Sequence, residues 1–398
     1  MVYFHPSIYY VRYSMLFRLY RLVLLSKPFN LRLLLVSLIV TVLLAVQQTI
    51  NLFFRLLDEI FFFKYRQIKI EAPVYIIANP RSGTTYLHRL LSLDEERYAY
   101  MKFWHTLFPS VSFIKLIHAI SGIDKKLGSH LKRLLDRIDA KMFRGWEEIH
   151  PMGFSKPEED EAPFGVSMTS PTVCLLFPYL HFLKKQWLLD NDDEKVKTHV
   201  MQYYTNCLQR FMYAAGQNKT YLSKNVFMSG RIATLLKYFP DARVIYIVRH
   251  PYKVLPSFVS MYAVMYRAYC KHMKDTDDAM KAWAELGIEY YLHFNKIRHN
   301  LSEANLVTLK YDSFVASPVE TVKSIYGQFQ WMVTSPFEKR LFQEVNANKE
   351  FKSTHTYSLE QYGLSKEEIG GKLNSVFEEF GFDKSEVDPI DWTGGRDS

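Results

Sequence analysis

The chain has 398 residues, 48% of them hydrophobic, with three cysteines and a formal charge of +9. That much apolar material supplies a packed core and excludes disorder as the main state, while Cys174, Cys207 and Cys270 lack the paired spacing of a disulfide framework or a cysteine metal site. Residues 1–66 carry eight Lys and Arg against only Asp58 and Glu59, so +6 of the charge sits in an apolar leader and nucleic-acid binding is not expected.

Between Arg32 and Arg55 the chain runs for 22 uncharged residues, LLLVSLIVTVLLAVQQTINLFF. A helix needs about 20 such residues to cross a bilayer, and the polar Gln47, Gln48, Thr49 and Asn51 make this run a borderline span. Arg12, Arg18, Arg21, Lys27 and Arg32 precede it with no acid among them, a bias that places the N-terminus of a single-pass protein in the cytoplasm. YSMLFRLYRLVLL and FFRLLDEIFFF also mix apolar and cationic positions as interfacial helices do, so a monotopic attachment stands beside the single pass. The expectation is a membrane-associated helical segment over 1–66 followed by one domain over 67–398.

Residues 73–78, PVYIIA, form an apolar, β-branched run stopped by Asn79-Pro80, which predicts a buried strand and a turn. From Thr84 the leucines Leu87, Leu90 and Leu91 fall at helical spacing, so the element order is strand, loop, helix. Such a loop aims the backbone N–H groups of Ser82 to Thr85 and the positive end of a helix dipole at one point, a ready anion site. Gly83 permits close backbone approach, Ser82, Thr84 and Thr85 add hydroxyl donors, and Arg81 supplies a fork for two oxygens of a phosphate or sulfate. The first glycine and the lysine of a Walker loop are absent, which disfavours γ-phosphate transfer and magnesium.

Downstream, YLSKNVFMSGRIATLLKYFPDARVIYIVRHPYKVLPSF predicts a helix, a turn and a strand over Arg243–Val248 that ends at Arg249-His250-Pro251. Proline is suited to the first helical position, so Arg249 stands at the C-terminal edge of a strand with Ser257 two turns into the following helix. Ligands of open α/β sheets bind at that edge.

With these two motifs the chain resembles the sulfotransferases that use 3′-phosphoadenosine 5′-phosphosulfate. In that family a loop of the type P-[RK]-S-G-T-T grips the 5′-phosphosulfate. A V-R-[DNH]-P element, with a serine eight residues after its arginine, grips the 3′-phosphate. Here these are Pro80 to Thr85, and Arg249 with Ser257. LVTLKYDSFVASPVETVKSIYGQF and HTYSLEQYGLSKEEI resemble later segments of the family, closest to its bacterial-type and tyrosylprotein-like branch.

The resemblance implies a P-loop-like α/β fold with an open, mainly parallel sheet flanked by helices, and transfer of a sulfuryl group to a hydroxyl or amine. It implies donor contacts from Arg81, Ser82, Gly83, Thr84, Thr85, Arg249 and Ser257, with no metal. Arg81 and Lys224 are the expected activators of the donor. The run from Glu147 to Glu161 gathers His150 and several carboxylates, and Glu159 and His150 are the expected bases, with Glu161 behind them. His105 is a weaker candidate, and His88 is expected to be structural. Where cytosolic relatives place a basic histidine after Lys-Thr, this chain has Asn225-Val226, and where they complete the 3′-phosphate site with Arg-Lys-Gly, Lys352 is the nearest substitute.

The aromatic-rich interval 102–220 suits a small-molecule acceptor such as a lipid, sterol, phenol or glycan. The active site would face a Golgi-type lumen in a eukaryotic secretory setting and the cytoplasm otherwise. A catalytically silent relative that keeps the donor pocket, and a P-loop nucleotide kinase, are the competing readings. Oligomeric state is not written in the sequence.

Overall fold

The computed structural model describes residues 5–142, 153–216, 218–270, 273–347 and 357–385. Five strands form one sheet: β1 (Val74–Ala78), β2 (Tyr98–Ala99), β3 (Thr220–Lys224), β4 (Arg243–Val248) and β5 (Leu306–Lys310). They lie in the order β2-β3-β1-β4-β5 and every pairing is parallel. All of β1 is buried and so is β4 after Arg243, as expected of strands covered on both faces by helices. Alternate residues serve opposite layers. Tyr75 and Ile77 pack with the helices Glu194–Ala215 and Asp278–Ile297, whereas Val74, Ile76 and Ala78 pack with helix α3 (Thr84–Leu91) and the helix Pro318–Gln328.

β1 lies between β3 and β4, so the chain leaves it toward one side of the sheet and later returns to the other. The carboxyl ends of β1, β3 and β4 therefore border one crevice. Asn79 to Gly83 follow β1 there, Lys224 closes β3, and Arg249 follows β4.

The leader forms α1 (Tyr13–Leu25) and α2 (Leu31–Phe61), the latter longer than the uncharged run. Tyr20 joins the two helices by donating to Ser37 O at 2.9 Å. Met15, Leu19, Val23 and Leu33 enter a core shared with Phe177, Tyr262 and Trp283. α2 continues past Phe54 because its polar residues turn inward. Arg55 donates to Asn206 Oδ1 at 3.0 Å, and Asp58 accepts from Val111 N at 2.9 Å and Ser112 N at 2.7 Å. Asp58 also pairs with Arg210 at 2.9 Å, both side chains fully buried. Charges so deeply buried persist when paired and hydrogen-bonded, as Asp58 and Arg210 are, whereas Arg55 is held by neutral acceptors, Asn206 Oδ1 and Ser7 O.

Candidate active site

β1 ends in a turn of unusual backbone. Arg81 and Gly83 both occupy the left-handed region, at φ 69° and φ 82°. The first conformation costs a non-glycine residue about 1–2 kcal/mol, while the second is the one that glycine tolerates. Space also requires glycine, since a Cβ at position 83 would lie 2.8 Å from the Tyr311 ring. α3 then begins at Thr84, and Ser82, Thr84 and Thr85 cluster at its amino end. The first N–H groups of a helix have no partner within it, so this end attracts an anion.

The two motifs singled out in the sequence meet. Arg81 Nε donates to Ser257 Oγ at 3.1 Å, and Arg249 Nη1 donates to Arg81 O at 2.6 Å. The Arg249 guanidinium lies 4.2 Å from the centre of the Tyr311 ring, and Tyr291 holds the Arg249 carbonyl at 2.6 Å. Pro251 begins the next helix, capped by the His250 side chain, as its position in the sequence predicts.

Burial depresses the Arg81 pKa, and the neighbouring Arg249 charge lowers it further. Two cations held this close favour an anion between them. Ser82 Oγ and Arg249 Nε are buried without a hydrogen-bond partner among the described residues. Unspent donors beside crowded guanidiniums fit a phosphate-bearing ligand, because an unmatched buried donor is costly.

Lys224 comes from the carboxyl end of β3, paired in register with β1 at Ile76. Its ammonium lies 2.8 Å from Glu159 and 3.8 Å from Glu158, with only 1% of the lysine side chain exposed. It also donates to Thr85 Oγ1 at 3.3 Å, which ties it to the anion loop. Arg81, Ser82, Gly83, Thr84, Thr85, Lys224, Glu159, Arg249 and Ser257 thus converge on the carboxyl edge of the sheet.

The acidic run is an interior strap whose carboxylates face different partners. Asp160 accepts from Tyr204, from Tyr221 at 2.9 Å, from Ser223 at 3.0 Å and from Asn225 at 3.1 Å. Burial raises its pKa, an effect opposed by these hydrogen bonds. Glu161 forms a two-point pair with Arg231 at 2.6 and 2.7 Å and accepts from Asn225 at 2.8 Å. With its oxygens so engaged, Glu161 supports the architecture instead of standing behind Glu159 as a base. Asn225, one residue before the position at which cytosolic relatives place the histidine, is bound on both sides, its Oδ1 capping Phe227 N at 3.0 Å.

His150 and Lys352 lie outside the described residues. His105 is buried, accepts from Lys102 N at 3.0 Å and has its pKa pushed down to about 3 by burial and by the charge of Lys102. His88 is likewise held near 3 by burial and by Lys224, which makes it a neutral packing residue behind the site. Tyr311 is the functional neighbour that sequence reasoning missed. Its signal was its place at the carboxyl end of β5, level with Arg249 on β4.

Known proteins resemble this chain over the same region. A family model described as "Sulfotransferase family" matches residues 73–335. Omega-hydroxy-beta-dihydromenaquinone-9 sulfotransferase Stf3 of Mycobacterium bovis is 25% identical over 324 residues, covering 80% of this chain and 77% of the relative. The protein of the same name from Mycobacterium tuberculosis matches to the same extent. Among solved structures, sulfotransferase STF9 of Mycobacterium avium superposes with TM-score 0.66 at 18% identity, covering 81% of this chain and 80% of that one. STF1 of Mycobacterium tuberculosis gives 0.60 at 21% identity, covering 82% and 83%. These structures share the fold, and the family model extends across both sequence motifs, so the chain belongs to the sulfotransferase family.

Proposed function

We propose that the chain transfers the sulfuryl group of 3′-phosphoadenosine 5′-phosphosulfate to a hydroxyl on an apolar, lipid-like acceptor. The observation that carries this reading is the meeting of Arg81, Ser257 and Arg249 at the carboxyl edge of the sheet. Ser82 to Thr85 with Arg81 hold the 5′-phosphosulfate, and Arg249 with Ser257 hold the 3′-phosphate. Arg81 and Lys224 neutralise charge on the leaving phosphate, where preorganised cations act most strongly.

Glu159 is the base. In the protein alone it pairs with Lys224. Once an anion engages the lysine, the carboxylate is released to take the acceptor proton. The bond from sulfur to the phosphate oxygen breaks, the acceptor oxygen bonds to sulfur, and the hydroxyl proton passes to Glu159. The products are a sulfate ester and adenosine 3′,5′-bisphosphate.

Two observations support an apolar acceptor. The relative Stf3 is named for a hydroxylated menaquinone. In addition, a file of aromatic side chains leads away from the acidic strap. The strap is joined to residues 101–103 by Glu158 N donating to Met101 O at 3.1 Å and by the bridge between Lys102 and Pro157. From there Trp104 contacts Phe113 at 6.3 Å between ring centres, Phe113 contacts Phe54 at 5.1 Å, and Phe54 contacts Phe53 at 5.3 Å. Phe53 is 57% exposed on α2. Half-exposed aromatic surface of this kind suits a prenyl or sterol body.

The test is transfer of labelled sulfate by the full chain to hydroxylated quinones and sterols, compared with soluble phenols and glycans. Calorimetry with adenosine 3′,5′-bisphosphate accompanies it. Magnesium-dependent turnover of ATP without bisphosphate binding would overturn the donor assignment. Labelling confined to water-soluble acceptors would overturn the acceptor class.

A further inference from the structure

α2 has its amphipathicity reversed. The face toward the protein carries Ser37, Gln48, Asn51, Arg55 and Asp58, all buried. The opposite face presents Leu35, Ile39, Val42, Leu43, Val46 and Ile50, each at least 40% exposed. Only 17% of the most apolar window of the helix is buried. The adjoining helix Val111–Lys126 adds a second apolar row, with Leu116, Ile120 and Ile123 exposed at helical spacing. A continuous apolar surface of this length marks an interaction site.

Attachment along the helix limits what covers that surface. At its start, Asn30 donates to the carbonyl of Tyr269. At its middle, Gln47 donates to Leu107 O. Near its end, Asp58 caps Val111 and pairs with Arg210. At 1.5 Å per residue the 31 residues of α2 span about 46 Å, and they are bound to one body from end to end. A perpendicular crossing of a hydrocarbon core about 30 Å thick would carry these buried charge pairs and the flanking domain into the bilayer, where charged groups are costly.

Charge identifies the occupant. Lys27 and Arg32 are exposed at the amino end of the apolar stripe, Arg18 and Arg21 are exposed on the preceding helix α1, and Lys64 is exposed beyond the carboxyl end of the stripe. A second copy would oppose cation with cation in either direction, whereas anionic head groups complement both ends.

We infer that the exposed stripe of α2 seats the protein in one leaflet of an anionic phospholipid bilayer without crossing it. The termini then lie on the same side of the membrane. This stands independently of the sulfuryl-transfer reading.

The experiment is flotation of the full chain with vesicles of neutral phosphatidylcholine alone or with added phosphatidylglycerol. Val42→Glu together with Leu43→Glu reduces vesicle binding roughly tenfold or more. The thermal transition and bisphosphate binding stay as in the parent. Arg21→Glu with Arg32→Glu weakens binding to the anionic vesicles alone.

Topology is read in sealed vesicles from expressing cells. His5→Cys and Ser385→Cys are treated with a membrane-impermeant maleimide, and labelled positions are read by mass, since the native Cys174, Cys207 and Cys270 are buried thiols. Both introduced cysteines react or both are protected. Labelling of only one overturns the single-leaflet arrangement. Unchanged flotation of the Val42/Leu43 variant overturns the assignment of the stripe. A dimer that this variant dissociates, with no vesicle binding by the parent, makes a second copy the occupant and overturns the proposal.

Discussion

Glu159→Gln removes one charge and little volume, and the arrangement around Lys224 predicts effects of opposite sign on binding and turnover. Lys224 lies 2.8 Å from Glu159, 3.8 Å from Glu158 and 3.3 Å from Thr85 Oγ1. Its nearer ion pair competes with any phosphate oxygen that needs the same ammonium. Glu159 retains 18% side-chain exposure, so the pair contributes nearer the about 1 kcal/mol of an accessible bridge than the larger value of a sealed one. Releasing the lysine should tighten adenosine 3′,5′-bisphosphate about five- to tenfold. Loss of the base should slow sulfuryl transfer by roughly 10²–10⁴-fold. Stability falls by about 1 kcal/mol, less than the roughly 3–5 kcal/mol of breaking a fully buried pair, because Glu158 remains nearby, and bound bisphosphate restores part of it. Calorimetry gives the affinity and single-turnover transfer gives the chemical step. Weaker bisphosphate binding combined with transfer retained within about threefold would refute both roles.

Arg249→Ala should weaken bisphosphate binding by roughly 10²-fold, since a charge-assisted hydrogen bond contributes about 1.5–3 kcal/mol; calorimetry measures it. Gly83→Ala places a Cβ 2.8 Å from the Tyr311 ring at φ 82°, so bisphosphate binding and the melting temperature both fall, and adding Tyr311→Ala recovers the steric part but not the backbone part. His88 and His105 have pKa values near 3 in the fold against 6.5 for the free side chain. The unfolded chain therefore binds more protons between those limits, and stability is lost as pH falls below 6.5, by at most about 1.4 kcal/mol per pH unit for each histidine. His88→Gln with His105→Gln should flatten the urea-unfolding stability between pH 6.5 and 5, and an unchanged slope would refute the assignment.

The loop after β1 and the helix start after β4 were legible because their signals are local. An apolar run before Asn-Pro, a glycine before a leucine-spaced helix, and a proline after Arg249 each specify their own element. The meeting of Arg81 with Ser257, 176 residues apart, was accessible only through resemblance. The separate roles of residues 158–161 were illegible for a physical reason. In an irregular segment each side chain points where its partner lies, and the partners of residues 158–161 are Tyr204, Tyr221, Ser223, Lys224, Asn225 and Arg231 on other elements. Nothing within the segment separates the carboxylate that faces the site from those that brace it. In α2, Gln48 and Asn51 looked like the end of an apolar run, but they are the side of a continuing helix that meets the protein.

Counted along the chain, residues 158 to 161 assign four adjacent acids to three destinations: Lys224 for the first two, the Tyr204, Tyr221 and Ser223 cluster for the third, and Arg231 for the fourth. Deleting one residue before Glu158 would move Asp160 and Glu161 each to the place of the acid before it. Arg231 would then face Ala162 in place of Glu161, and Lys224 would face Asp160 in place of Glu159. This loop is therefore read like a reading frame. A change in length here is expected to cost more stability than a single substitution, although surface loops ordinarily absorb length changes easily.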